Sequence, residues 1–244
     1  MTQSIAHSKP RNRVRLSRQD KTYYSVVYTL VTLLTLIVLL PLTNVLACSF
    51  SAPEAVASGK VLLWPVNFSV SGYERVFNTD EIWIGYANTL YYTMVGTFVN
   101  VFVTMICAYP LARRGLPYKS FFSFLFAFTM LFSGGLVASY MINAQVLGLK
   151  NTYWVLILPI CCSSFYIIIM RTFFSNSIPY ELQEAAQIDG CTPFGILVRI
   201  ILPLSIPVMC VIGLYYGVFL WNSYFQSLIY LTDKDKWPLQ LFLR

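Results

Sequence analysis

Five long stretches without a charged residue are the feature that most constrains this chain. They cover residues 22–53, 82–112, 120–149, 151–170 and 200–232, and each can hold a membrane-spanning helix of about 20 residues. Backbone groups in hydrocarbon must be satisfied within their own segment, and these stretches lack the polar and apolar alternation of barrel strands. The sequence therefore predicts an all-α, polytopic membrane helical bundle.

Cationic residues are divided unequally between the two sides that five spans would separate. Of the 17 Lys and Arg residues, eleven fall on the side of the N-terminus and of segment 171–199, and six fall on the other side. Because Lys and Arg are enriched in cytoplasmic loops, we expect the N-terminus and the segment 171–199 in the cytoplasm. The net charge of +7 is thus a topology signal and does not indicate nucleic-acid binding.

The charge-free stretches also predict a domain layout. It comprises a cytoplasmic basic arm (1–21), a first span (22–48), an extracellular loop (49–84), a core of spans two to five (85–232) that includes a cytoplasmic loop (171–203), and an extracellular end (233–244). We expect a short helix near residues 73–77 of the extracellular loop. Four of the six cysteines lie well inside apolar stretches, so neither a metal site nor a disulfide framework is predicted.

The cytoplasmic loop, residues 171–203, is a polar island between apolar stretches. Ser177 and Pro179 suit the start of a first helix, Gly190 suits its end, and Thr192-Pro193 suits the start of a second helix. Helical periodicity places residues of the first helix on two sides. One side is acidic, with Glu181, Glu184 and Ile188, and the other is narrow, with Leu182, Ala185, Ala186 and Asp189.

These two sides favour docking to a basic partner protein. Carboxylates attract a basic surface, and alanines let a helix backbone approach a groove closely. The alternative is an amphipathic helix pair that lies on lipid headgroups. An acidic helix is a poor match for the anionic cytoplasmic leaflet, because interfacial helices are usually rich in Lys and Arg.

The loop also carries the pattern E-A-A-x3-G-x9-I-x-L-P. Its specified residues are Glu184, Ala185, Ala186, Gly190, Ile200, Leu202 and Pro203. The pattern resembles the cytoplasmic loop of permease subunits of binding-protein-dependent ABC importers. Weaker local matches at residues 133–135, 169–174 and 221–224 are similar to the carbohydrate-uptake branch related to the smaller maltose-importer permease.

The resemblance implies a fold, partners and roles. Permeases of this type I importer kind normally have one more span after the fifth, so we expect a sixth span to be missing here. The loop would be a coupling helix in a cleft of a cytoplasmic ATPase dimer, which binds ATP and Mg, while this chain is not an enzyme and has no cofactor of its own. Other implied partners are a second homologous permease, an extracellular solute-binding lipoprotein, a sugar substrate and membrane lipid. We assign Glu181 and Asp189 to the coupling surface together with the residues of the pattern.

Aromatic and amide side chains in the spans form a second candidate site. In the fifth stretch they are Tyr216, Trp221, Asn222 and Tyr224, and the second stretch adds Asn88. Such residues stack on sugar faces and bind hydroxyls, but they also bridge packed membrane helices, and both interpretations stand. Two alternative functions also remain, a permease for another solute and a stand-alone carrier or channel. The absence of charge inside the stretches disfavours an ion-coupled carrier.

Overall fold

The computed structural model describes residues 17–243, and over that range the chain is a set of helices joined by turns. The described residues hold no strand pairing beyond one isolated bridge between Ser51 and Phe68. The chain divides into two compact units, Met1–Asn78 and Thr79–Arg244. Residues 1–16 of the expected basic arm and Arg244 of the expected extracellular end lie outside the described residues.

The first unit is built around one long apolar helix, α1 (Arg18–Ser49), with the short helices α2 (Pro53–Ala57) and α3 (Ser71–Phe77) after it. The Leu and Val side chains of α1 are largely exposed, as suits a helix surrounded by lipid. The residues after α1 fold back on its end, where the Asn44 amide donates to the carbonyls of Val61 and Leu62 at 3.1 and 2.7 Å. The short helix expected near residues 73–77 is confirmed as α3.

The second unit is organised around α4 (Asp80–Ala112), a helix of 33 residues. The helices that come next are α5 (Lys119–Leu131), α6 (Gly135–Tyr140), α7 (Ser164–Ser177) and α8 (Tyr180–Ile188). They are followed by α9 (Pro193–Ile196), α10 (Leu202–Leu204), α11 (Ile206–Trp221), α12 (Tyr224–Tyr230) and α13 (Leu239–Phe242). Helices α7, α11 and α13 pack against α4.

Three of the five predicted spans are broken instead of straight. Within the described residues, α1 and α4 are single helices long enough to cross a membrane, and the other three candidates are bent pairs. The bends are 117° after α5, 51° before α7 and 80° before α11. Gly135, at φ 75°, permits the first bend, and Pro207 has no N–H to continue a helix across Ser205. Counted as one span each, the bent pairs bring the total to the five predicted.

The core of this unit lies between α4, α7 and α11. Its fully buried members include Ala108 of α4, Ile167 and Met170 of α7, and Ile212 of α11. Gly96 lets α11 approach α4, since a Cβ atom there would lie 2.6 Å from Leu220 Cδ1. Small residues at helix crossings are a common way for membrane helices to gain van der Waals contact.

Polar side chains of α4 hold the segment that contains α13, and this overturns the pore interpretation of Asn88. The Asn88 amide is buried and donates to the carbonyls of Asp235 at 2.7 Å and Trp237 at 3.0 Å. The Leu239 N–H donates to Thr89 Oγ1 at 2.8 Å. Asn88 is therefore a packing residue, because its donors are occupied by backbone carbonyls of its own chain.

A second polar network fixes the turn after α12. Lys236 Nζ lies 2.9 Å from the Asp233 carboxylate, and Asn151 Nδ2 donates to the same oxygen at 2.7 Å. The hydrogen bond from Lys236, and then that from Asn151, lower the pKa of Asp233 from its ordinary value of 3.8. A carboxyl group with a lowered folded-state pKa stabilises the fold above its ordinary pKa, and that stability is lost as the pH falls through the folded value.

We predict that Asp233→Asn lowers the Tm of the purified protein at neutral pH, because the ion pair with Lys236 is lost. The Tm difference from the wild type should close as the pH falls below 3.8. Thermal unfolding measured across this range checks it, with Asp235→Asn in the same turn as a control that leaves the Tm unchanged. A difference that stays constant into acid would contradict the role given to the Asp233 charge.

Candidate functional site

The first helix of the loop 171–203 begins two residues later than the sequence indicated. Ser177 is the last residue of α7 and not the cap of the next helix, and Pro179 takes the cap position of α8. The reason lies in Ile178, which precedes a proline and adopts an extended conformation with φ −112° and ψ 112°. Ile178 is buried, so the break between α7 and α8 is anchored in the core.

Helix α8 ends in a Schellman motif at Gly190. The sequence predicted that Gly190 ends this helix. Gly190 has φ 80°, and its N–H donates to the Gln187 carbonyl at 3.0 Å. The Cys191 N–H donates to the Ala186 carbonyl at 2.9 Å. The start of α9 is capped as expected, since Thr192 Oγ1 accepts the Gly195 N–H at 3.2 Å. Both ends of the α8 to α9 turn are thus fixed by hydrogen bonds.

One side of α8 packs on the chain and the other faces out. Gln183 and Ala186 are only 5% and 6% exposed. The outward side chains are Glu181, Leu182, Glu184, Ala185, Gln187, Ile188 and Asp189. The narrow side expected to hold both Ala185 and Ala186 is therefore split, because Gln183 and Ala186, three residues apart, form the inward stripe.

The second half of the sequence pattern anchors the loop. Ile200 and Leu202 are half-buried against the core, while Pro203 is exposed. The fully buried residue of this stretch is Ile201, which joins a cluster with Tyr109 of α4 and Phe174 of α7. Sequence reasoning missed Ile201, although its spacing of four from the buried Leu197 was a usable signal.

Tyr180 is a further residue that the sequence did not single out. The guanidinium of Arg114, in the turn after α4, lies 4.6 Å from the centre of the Tyr180 ring. This cation–π contact joins the first residue of α8 to the turn between α4 and α5. No periodicity in the sequence pairs residues so far apart in the chain.

The candidate pathway residues of the fifth span fall in different places. Tyr216 is buried, and its hydroxyl is 2.9 Å from Thr104 Oγ1, so it belongs to the core and not to a pore surface. Trp221 and Asn222 lie at an open groove of about 990 Å³ between α4 and α11, whose walls are almost entirely apolar. Tyr224 is half-buried at the start of α12, beyond the break at Ser223.

Comparison with known proteins agrees with this geometry. A family model described as the binding-protein-dependent transport system inner membrane component matches residues 11–235. The polygalacturonan/rhamnogalacturonan transport system permease protein YtcP of Bacillus subtilis (strain 168) is 40% identical over 226 residues, which cover 93% of this chain and 78% of YtcP. Protein LplC of the same organism is 40% identical over 208 residues, covering 85% and 70%.

A solved structure is similar over nearly the whole chain. It is the crystal structure of a bacterial ABC transporter involved in the import of the acidic polysaccharide alginate, with a TM-score of 0.88 and 32% identity, covering 95% of this chain and 82% of that chain. The helical bundle and its loop thus define a membrane component of a transport system. The chain belongs to the family of binding-protein-dependent transport system inner membrane components. A component of this kind works with a binding protein and an ATPase.

We predict that Gly190→Ala weakens the end of α8. No atom lies within 4 Å of the added methyl group, so the cost comes only from the left-handed conformation, which is worth about 1–2 kcal/mol. Hydrogen exchange at the Cys191 amide should speed up about 5- to 30-fold. Gly72→Ala is the matched control, because that site is equally open and lacks a positive φ. Unchanged exchange at Cys191 would contradict the capping role of Gly190.

Proposed function

We propose that the chain is the permease subunit of an ATP-driven importer and moves a sugar or an oligosaccharide delivered by an extracellular binding protein. Support for a carbohydrate substrate comes from the relatives, of which YtcP is named for polygalacturonan and rhamnogalacturonan transport. The similar solved structure is of an alginate importer. Support for energy supplied by a separate motor comes from the outward side of α8.

The observation that carries the proposal is an acidic helix side mounted rigidly on the core. Glu181 and Glu184 face outward while Gln183 and Ala186 hold α8 in place. Helix α8 contains no Lys or Arg, so charge complementarity favours a basic groove on a separate protein. We propose that this groove belongs to a cytoplasmic ATPase dimer that binds ATP and Mg, and that the present chain needs no cofactor.

Exposed apolar side chains beside the carboxylates support docking over simple solvation. Ile188 is 86% exposed, and Leu182 on the same helix is also exposed. Phe194, just after the turn, is 68% exposed. An apolar patch rimmed by charged residues is typical of a protein interface. Ala185 and Asp189 complete the proposed contact surface, whereas Ala186, Ile200 and Leu202 act by anchoring it.

The loop is built to transmit a displacement. Ile178 and Ile201 enter the core on either side of α8, and Gly190 and Thr192 fix the turn between them. A push on the outward side of α8 is therefore passed to α4 and α7 through packed side chains. Closure of the ATPase pair would in this way bias the permease between inward-facing and outward-facing states.

The distribution of cations supports the proposed orientation. We place in the cytoplasm of a bacterial cell the arm (1–21) and the cytoplasmic loop (171–203). We place outside the cell the loop 49–84 and the end 233–244. The plasma membrane would then hold the span 22–48 and the core 85–232. The excess of Lys and Arg on the first side favours this direction.

The solute path is proposed to include Trp221 and Asn222, together with a second homologous permease. These two residues lie at one end of the groove between α4 and α11, where an indole ring and an amide suit a sugar. Apart from Thr93 and Thr97, whose hydroxyl oxygens are buried, the remaining walls are apolar and unsuited to hydroxyl groups. A second permease chain could supply the polar groups that the rest of this groove does not expose.

We predict that Glu184→Lys uncouples the importer, since it places a cation against a basic groove. Affinity of the assembled permease pair for the ATPase should fall about 30-fold or more, and ATP hydrolysis stimulated by loaded binding protein should be lost with normal membrane insertion. Co-purification of the ATPase and its stimulated activity in proteoliposomes measure the two effects.

Glu54→Lys is the matched control, because Glu54 is an exposed glutamate in the first turn of α2, outside the cytoplasmic loop. It should leave ATPase co-purification unchanged. Persistence of both binding and stimulated hydrolysis in Glu184→Lys would overturn the docking role. Uptake by the chain alone, without any ATPase, would instead favour a stand-alone carrier.

A further inference from the structure

The turn between α4 and α5 forms part of a pocket of which the proposed coupling surface uses only Phe194. This basic pocket has a volume of about 520 Å³ and is bordered by the turn and by the loop residues Pro193, Phe194 and Leu197. Arg113 and Arg114 are the charged residues among those that line it. The turn itself takes its shape from Gly115 at φ 89° and Tyr118 at φ 55°.

Cations around the pocket are not neutralised within the chain. In the range 17–243, neither Arg113 nor Arg114 forms an ion pair with a carboxylate. Lys119 Nζ donates to the Arg113 carbonyl at 3.1 Å and adds a third cation beside the turn. Clustered cations repel one another, so an anion in the pocket would be stabilised by Arg113 and Arg114, which border it.

The walls of the basic pocket are apolar. Ile106, six residues before the end of α4, is 42% exposed, and Pro110 and Leu116 continue the wall. Phe194 closes the other side and is mostly exposed. A small hydrophilic anion would gain nothing from such walls, whereas a molecule with both an anionic head and an acyl chain would cover them.

We propose that the basic pocket binds the phosphate headgroup of an anionic phospholipid, with Arg113 and Arg114 on the phosphate and the acyl chain along Ile106. The position supports this, because the arginines directly follow a membrane-spanning helix, where basic pockets meet lipid headgroups. Guanidinium groups bind phosphate oxygens in pairs of hydrogen bonds. This inference goes beyond the proposed coupling to an ATPase and depends only on the membrane location of α4.

The bound lipid would influence the coupling helix. Arg114 stacks on Tyr180, the first residue of α8, and Phe194 belongs to α9. A headgroup held between Arg114 and Phe194 connects the turn between α4 and α5 to helix α9. The pocket therefore makes the position of α8 responsive to the charge of the surrounding lipid.

Native mass spectrometry of the complete importer in detergent tests the proposal. Phosphatidylglycerol should bind with higher affinity than phosphatidylcholine with the same acyl chains. Arg113→Gln combined with Arg114→Gln should reduce phosphatidylglycerol affinity on the order of 30-fold, since two surface cations are removed. Lys150→Gln combined with Lys234→Gln removes two exposed cations elsewhere and should keep the preference.

Further measurements distinguish a bound lipid from other occupants of the basic pocket. Inorganic phosphate alone, added in excess, should not displace the lipid, and displacement would show a simple anion site and overturn the proposal. Equal binding of the two lipids by the wild type overturns it without any variant. Arg113→Lys combined with Arg114→Lys keeps the charge and should retain most of the preference for phosphatidylglycerol. A different result is that the ATPase protects the two arginines from chemical modification while lipid composition has no effect on that modification. This result would assign the pocket to a protein partner and overturn the lipid assignment.

Discussion

Packing of the loop 171–203 onto the ends of α4 and α7 is the interaction on which the rest of the structure depends. Ala186, Ile196 and Ile201 enter one continuous core with residues of both helices. Without this burial, α8 would be a nine-residue helix with no means of staying folded, because isolated helices of that length are marginal in water. The carboxylates of α8 gain a fixed direction only because the opposite side of the helix is held.

The same division between an anchored and an exposed side explains the spacing of the sequence pattern. Gly190 reverses the chain in a conformation that favours glycine, and Thr192 starts the next helix two residues later. The apolar residues around Ile201 then return the chain to the core. The pattern thus combines two kinds of residue, those that present a surface and those that hold it.

Sequence reasoning predicted the helical class, the unbroken helix α4, the small helix α3 and the turn at Gly190, because these depend on local composition and backbone conformation. It was wrong about the cap at Ser177, and it did not foresee the bends in three spans or the packing contacts of Asn88. The bends near Gly135 and Pro207 and the break at Ile178 have local causes. The burial of Asn88 depends instead on a contact between distant segments, that of its amide with the carbonyl of Asp235. The cation–π contact of Arg114 with Tyr180 was likewise beyond reach of any local signal.

Site-directed crosslinking from α8 tests the central claim most directly. Adjacent residues Ala185 and Ala186 differ sharply in this structure, since Ala185 is exposed and Ala186 is 6% exposed. A photoreactive residue in place of Ala185 should crosslink to an ATP-binding subunit in intact membranes, whereas one in place of Ala186 should react within its own chain. Equal crosslinking from both positions, or capture of an extracellular protein from Ala185, would contradict the account.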